Sequence, residues 1–511
     1  AGDANTTGAS NTAVGSGSLG ANTTANDNTA VGRNSLTANT TGAGNTGVGG
    51  SVLGANTTGA SLSALGAFAL DANTTGASNT AVGYASLGSN TTASNNTAVG
   101  FAAGTAVTTG INSTLVGSLS GDAITTGNQN TALGTLSLST ETTGAKSVAL
   151  GYAALTTQNS TNSADMFNVA VGYEAGGAIT TGIQNALIGG QAGDALTDAD
   201  FNVAVGTAAL SSDTLGSRST ALGHGTLFNQ NFTSATDTYN VAVGYNAGQQ
   251  VTTGIQNTLV GGQAGDALTD ADGNTAVGWL ALSTDTLGSA STAIGRAALA
   301  NQRTSSAADK FNTAVGYNAG LEVTTSIQNT LIGALAGDAL TTGSENTAVG
   351  YLALSTEDGH GTNTAIGNRT LMTQNAGANA HNTGVGHYAG TAITTGIQNT
   401  FIGGLTGDAT TTGRDNTLVG FRAGTANTTG SENTAIGSDS FFANTTGANN
   451  VVVGVGALNA NTSGDYNSAV GHSALLLNTT ADNNTAVGFE SLRANTTGHE
   501  NTASGRRSLK S

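Results

Sequence analysis

The sequence contains no cysteine and no proline, and only 8% of its residues are charged and 4% aromatic. Without cysteine there is no disulfide framework, no thiolate metal site and no thiol chemistry. The scarcity of charge and the missing proline set the chain apart from an ordinary disordered segment. Large apolar side chains are also few, because much of the 37% hydrophobic content is alanine. That is too little to fill the several globular cores that 511 residues would otherwise suggest. Thirteen basic residues stand against 30 acidic ones, which disfavours a nucleic-acid surface. No apolar run reaches the roughly 18 residues of a membrane-spanning helix. No signal-peptide pattern follows Ala1-Gly2-Asp3.

What is present is glycine, 77 of them, and a repeat. The glycine closing each Asn-Thr-Ala-Val-Gly unit recurs from Gly15 to Gly505, giving 29 units. The step is 17 residues except for 21 at 151→172, 223→244 and 295→316, and 19 at 367→386. A second period of 72 residues links Gly100, Gly172, Gly244 and Gly316. Residues 100–367 are therefore a set of four-coil cassettes within one array spanning 1–511. Each cassette has a short insertion, near 156–167, 228–239 and 300–311. The unit reads Asn-Thr-Ala-Val-Gly-x-x-Ala-Leu-x-x-Asn-Thr-Thr-Gly-x-x. Glycine, threonine and asparagine at fixed places cannot sustain a 3.6-residue apolar stripe. Short strands between Gly and Asn turns fit, and the missing proline leaves every N–H for a ladder. The period predicts an all-β fold, a parallel β-solenoid of about 29 coils. At about 4.8 Å per coil that is a rod of roughly 140 Å.

Counting from the anchor glycine as position 0, Val, Leu or Ile stands at −1 in 28 of 29 units. Position −3 is usually Thr, exchanged for its isostere Val at 148, 169, 203, 241 and 451. That exchange suggests an inward −3, and alternation then turns −1 inward and −2 outward. Asn at −4 predicts a stacked amide ladder at a bend. Position −2 is nearly always Ala but becomes Leu115, Leu187, Leu259, Leu331, Phe401 and Leu418 in six units. All six belong to the 11 units with Gly rather than Leu or Phe at +4. An outward alanine row that accepts leucine reads as a chain–chain interface; the competing reading is a size exchange inside one chain's core. With about two large aliphatics per coil the core is thin, which also argues for self-association as a trimer.

The units Asn467-Ser468-Ala469-Val470-Gly471, Ser147-Val148-Ala149-Leu150-Gly151 and Ser291-Thr292-Ala293-Ile294-Gly295 resemble the head repeats of trimeric autotransporter adhesins. Similar arrays occur in phage tail-fibre-like proteins. The resemblance implies a left-handed parallel β-roll of three chains, displayed outside a cell or on a virion and binding a host-surface glycan or receptor. The 17-residue pitch and the Asn-Thr-Thr-Gly half depart from that pattern, and no neck, coiled-coil stalk or anchor is seen.

Chemistry is sparse. Gly15-Ser16-Gly17-Ser18-Leu19-Gly20 has the letters of a dinucleotide fingerprint but no following helix, so no cofactor is expected. The six histidines lack ligand spacing, and no catalytic carboxylate pair or Ser/His/Asp set recurs, so no enzymatic activity is expected. Asp194, Asp198 and Asp200, echoed by Asp266, Asp270 and Asp272, offer clustered hard oxygens suited to Ca²⁺, against turn capping as the blander reading. Asn5, Asn22, Asn39, Asn56, Asn73, Asn90, Asn427, Asn444, Asn478 and Asn495 each begin an Asn-Thr-Thr glycosylation sequon. The threonine rows resemble those of ice-binding solenoids, although the insertions are expected to interrupt a flat array. Recognition candidates are Phe167, Tyr239 and Phe311, which end the insertions, with Tyr173, Tyr245 and Tyr317 six residues later. Such aromatics suit stacking on sugar rings or pinning of their own loops. These features together predict a structural, surface-exposed fibre segment acting in attachment or as a spacer. The alternative is a subunit of a self-assembling extracellular filament. Both ends fall within a coil, which predicts that the array is a window of a longer chain.

Overall fold

A computed structural model describes residues 1–510. The chain forms two compact units, Ala1–Gln256 and Asn257–Ser511. Among the described residues there is no helix, and the fold is a parallel β-solenoid with one three-residue strand per coil. The first unit holds 14 such strands, from Thr12–Val14 to Val241–Val243; the second holds 15, from Thr258–Val260 to Thr502–Ser504. Neighbouring strands pair parallel and in equivalent register, as in Thr12↔Thr29, Ala13↔Ala30 and Val14↔Val31.

The insertions do not disturb this register. Across the 21-residue steps Val148 still faces Val169 and Thr292 faces Thr313, and across the 19-residue step Thr364 faces Thr383. The extra residues leave the sheet and form side ribbons of their own. Gly216–Ser217 pairs with Thr236–Asp237, Gly288–Ser289 pairs with Ala308–Asp309, and Ala145 bridges Asp165.

The anchor glycines make the close stacking feasible. Gly83 has φ +131°, and a Cβ there would lie 2.2 Å from the carbonyl oxygen of Gly100 in the next coil. No L-residue fits that column.

The phase of the strand is the reverse of that read from the sequence. Position −2 points inward: Ala30, Ala81 and Ala98 are fully buried. Position −1 points outward: Val14 is 56% exposed and Leu65 52%. The six residues expected at a chain–chain interface, Leu115, Leu187, Leu259, Leu331, Phe401 and Leu418, are accordingly fully buried within their own chain. Their space comes from the glycines at +4. A Cβ at Gly104 would lie 2.6 Å from Leu115 Cδ1, and one at Gly121 2.8 Å from Leu115 Cδ2. Gly176 and Gly193 make the same room for Leu187, and Gly390 and Gly407 for Phe401. The exchange of large for small is therefore core packing between successive coils. Backbone conformation permits it, because +4 is left-handed whichever residue occupies it, with φ +50° at Leu87 and +59° at Gly104. A third position takes part: in nine of the 11 units with Gly at +4, +7 is an aliphatic such as Val107, Ile124 or Leu196, each buried, the exceptions being Thr410 and Asn427.

Candidate functional site

Where Asn stands at both −4 and +7, the interior of the coil is closed by two amide ladders. At −4, Asn28 Nδ2 donates to the Gly42 carbonyl at 3.0 Å, while its Oδ1 accepts the backbone N–H of Asn45 at 2.9 Å. At +7, Asn39 Nδ2 donates both to Asn22 Oδ1 and to the Gly42 carbonyl, each at 3.0 Å. Outside the second ladder runs a hydroxyl row, in which Thr40, Thr57 and Thr74 each donate to the threonine carbonyl one coil on.

This placement settles the sequons. Asn22, Asn39, Asn56, Asn73, Asn90, Asn427, Asn444 and Asn478 are buried, with the amide nitrogen that would carry a sugar donating inside the ladder. In the folded chain those eight are inaccessible, because Asn-Thr-Thr here is a ladder element. Asn5 is exposed and Asn495 half-buried.

Each lengthened coil replaces the second ladder by a buried acid–glutamine relay, which sequence reading missed. Gln158 Nε2 donates to Glu141 Oε2 at 2.9 Å, and its Oε1 accepts from Asn168 Nδ2 at 2.9 Å. Glu141 also takes the Gly144 N–H at 2.6 Å. The same relay joins Asp213 to Gln230 at 2.6 Å, Asp285 to Gln302 at 2.5 Å and Glu357 to Gln374 at 3.2 Å. All four acids are fully buried. The signal in the sequence is positional: an acid stands at +7 only in the unit before each long step, with Gln at +7 of the next.

Among the described residues, one group brings three potential ligand atoms within 4.8 Å of one another: Glu357, Asp358 and His360. His360 Nδ1 lies 3.4 Å from Glu357 Oε1. Burial raises the Glu357 carboxyl above its ordinary range. Its oxygens already accept from the His360 backbone N–H and Gln374, so the acid serves the relay of the 19-residue step. The two aspartate sets considered for Ca²⁺ do not form such a group. Asp194 sits half-buried at +5, whereas Asp198 accepts from Thr181 Oγ1 and Asp200 from the Ile183 N–H at 2.8 Å, both as links between coils. In the second set Asp266 occupies the equivalent half-buried place, and Asp270 and Asp272 lie on the turn. At Asp122, Asp194, Asp266, Asp338 and Asp408, all at +5, one carboxylate oxygen is shut off from solvent without a hydrogen-bond partner. Burial pushes all five carboxyls up, Asp266 and Asp338 to about 6.

The six recognition candidates are all about half exposed, in two separate columns. Phe167, Tyr239 and Phe311 stand at −5, and Tyr173, Tyr245 and Tyr317 at +1. Most are engaged by a neighbouring coil. Lys146 lies over Phe167, Arg218 between Phe201 and Tyr239, and Arg296 between Trp279 and Tyr317. Tyr173 stacks on Tyr152 with centroids 5.5 Å apart, and Tyr245 on His224 at 5.6 Å. Five of the six thus have a ring or cation of a neighbouring coil against them while staying about half exposed.

Comparison with protein-family models, curated proteins and solved structures finds no match.

Proposed function

We propose that the chain is a structural, surface-exposed fibre segment, assembled from several copies as a trimer, that serves attachment as a spacer or adhesive shaft outside a cell or on a virion. The observation that carries this reading is the unbroken strand register across every expanded coil within each unit. A scaffold that lengthens its loops without losing register can present side chains such as Tyr173 and Tyr245 at set intervals while keeping its backbone ladder intact. Buried polar ladders in place of a wide apolar core suit an element whose task is continuity. A self-assembling extracellular filament is the second reading, favoured by the uncharged, half-aliphatic outer face of the strands. Electron microscopy of the purified chain tests both. Closed particles with three-fold symmetry support the trimeric shaft, open helical polymers support the filament, and isolated single copies count against both.

A further inference from the structure

The outward face of the strands is uncharged and half of it is aliphatic. Positions −3 and −1 carry no charged residue in any of the 29 units. Position −1 is an aliphatic column, with Leu65 at 52%, Leu133 at 43%, Ile188 at 42% and Ile402 at 40% exposure. Beside it runs the −3 column, Thr or Val in all units but three, which have Ser63, Ala186 and Ser468. Within each unit the rows are continuous, since strands on either side of every insertion stay paired. Soluble monomers rarely expose a contiguous apolar patch beyond a few hundred Å².

We infer that this face is an interface between copies of the chain, its −3/−1 columns turned toward the same columns of the other copies; this rests on the reading that the chain assembles. Two arguments select a second copy as the occupant. The first is area. Fourteen strands at about 4.8 Å spacing and about 10 Å width give the first unit a face of roughly 670 Å², and the second unit slightly more. Either is close to the roughly 800 Å² per partner of a stable interface. The second is pitch. Side chains repeating at the strand spacing along a whole unit are matched continuously only by a surface with the same repeat, and another copy supplies it. Paired sheets with identical rows interdigitate at about 10 Å separation.

The test uses the full chain and two variants, each substituted at six −1 positions, three in each unit: Leu65, Leu133, Ile188, Ile332, Ile402 and Ile436. Replacing all six with Thr keeps strand-compatible side chains and removes apolar area; replacing all six with Glu adds charge. Mass is followed by light scattering and sedimentation over a concentration series, and folding by circular dichroism. The threonine variant is expected to stay folded and to dissociate at concentrations on the order of a hundredfold higher than the wild type or more. The glutamate variant is expected to be monomeric. Because threonine is native to the neighbouring column, the threonine variant decides the matter even where the glutamate one fails to fold. A wild type that assembles and a folded threonine variant that assembles equally well overturn the face and leave the assembly reading standing. A wild type that is a folded monomer overturns both. If that monomer shapes growing ice crystals, the flat Thr/aliphatic face is a surface for ice instead.

Discussion

At the scale of single residues, the amide ladders concentrate the stability that apolar burial supplies in other folds. Asn56 donates to Asn39 Oδ1 at 2.8 Å and to the Gly59 carbonyl at 3.0 Å, and accepts from Asn73 at 2.8 Å. Replacing it with Ala leaves buried groups unpaired on both sides, at about 1–3 kcal/mol for each. Because a coil touches only its neighbours, the damage stays local. Asn56→Ala is therefore expected to raise amide hydrogen exchange in the coils between residues 39 and 73 and to leave distant coils protected. Thr58→Ala, on an exposed site two residues away, is expected to change exchange little. Gly83→Ala is expected to be more damaging than either, since its Cβ meets backbone rather than a movable side chain. Equal exchange profiles for the three variants would show that the ladder contributes nothing special.

At the scale of the coil, the relay at each long step is the element that permits lengthening. Gln302 connects Asp285 to Asn312 and donates also to Ser291 Oγ at 3.1 Å. Gln302→Ala strips a fully buried carboxylate of its side-chain donor, and a loss of about 1.5–3 kcal/mol is expected for a hydrogen bond to such a group. Adding Asp285→Asn removes the buried charge and should recover part of the loss, a non-additive pair readable by a double-mutant cycle in chemical denaturation. Strict additivity would remove the relay from the account. The coil is also where sequence reading succeeded and failed. Period, coil count, strand position and the −4 ladder were legible because Asn, Gly and Thr recur at fixed offsets. The strand's phase was not. Both alternations of Thr-Ala-Val contain apolar residues, and hydrophobicity ranks Val above Ala. What decides is width: a 17-residue coil leaves room at −2 for a small residue, mostly Ala, and for Leu or Phe only where +4 is Gly. Val452 is the one valine at −2, fully buried in a unit with Leu458 at +4, and elsewhere the branched residue stands on the roomier outer side. The co-variation of −2 with +4 was visible, but a size exchange has the same letters in a core as at an interface. The glycosylation sequons misled for a similar reason, since Asn-Thr-Thr spells a buried ladder as readily as an exposed acceptor.

At the scale of the whole molecule, the chain carries a net charge of −17, and several of its acids are held where ionisation is unfavourable. Burial raises the carboxyls of Asp71, Asp122 and Asp194 in the first unit, and of Asp266, Asp338, Glu357 and Asp408 in the second. Asp266 and Asp338 rise from 3.8 to about 6. Between those two values the folded chain binds more protons than the unfolded one, so stability falls as pH rises through the window. Glu490 acts oppositely: Lys510, then Arg507, holds its carboxyl down, so its contribution is present above the ordinary value and lost as pH falls. It is one group against seven. Mutual repulsion of the excess acids adds in the same direction as the seven. The melting temperature is therefore expected to be higher near pH 4 than at pH 7, contrary to the usual acid lability of proteins rich in paired carboxylates. Salt separates the two causes, because it screens surface repulsion and reaches half-buried groups poorly. The pH slope remaining at high salt should flatten in an Asp266→Asn/Asp338→Asn variant, in which two of the strained carboxyls no longer ionise. Melting followed by circular dichroism from pH 4 to 7 decides it. A melting temperature that climbs with pH, or a slope unchanged by the double substitution, would mean that the +5 carboxylates are solvated in solution and that burial there does not govern the molecule's acid response.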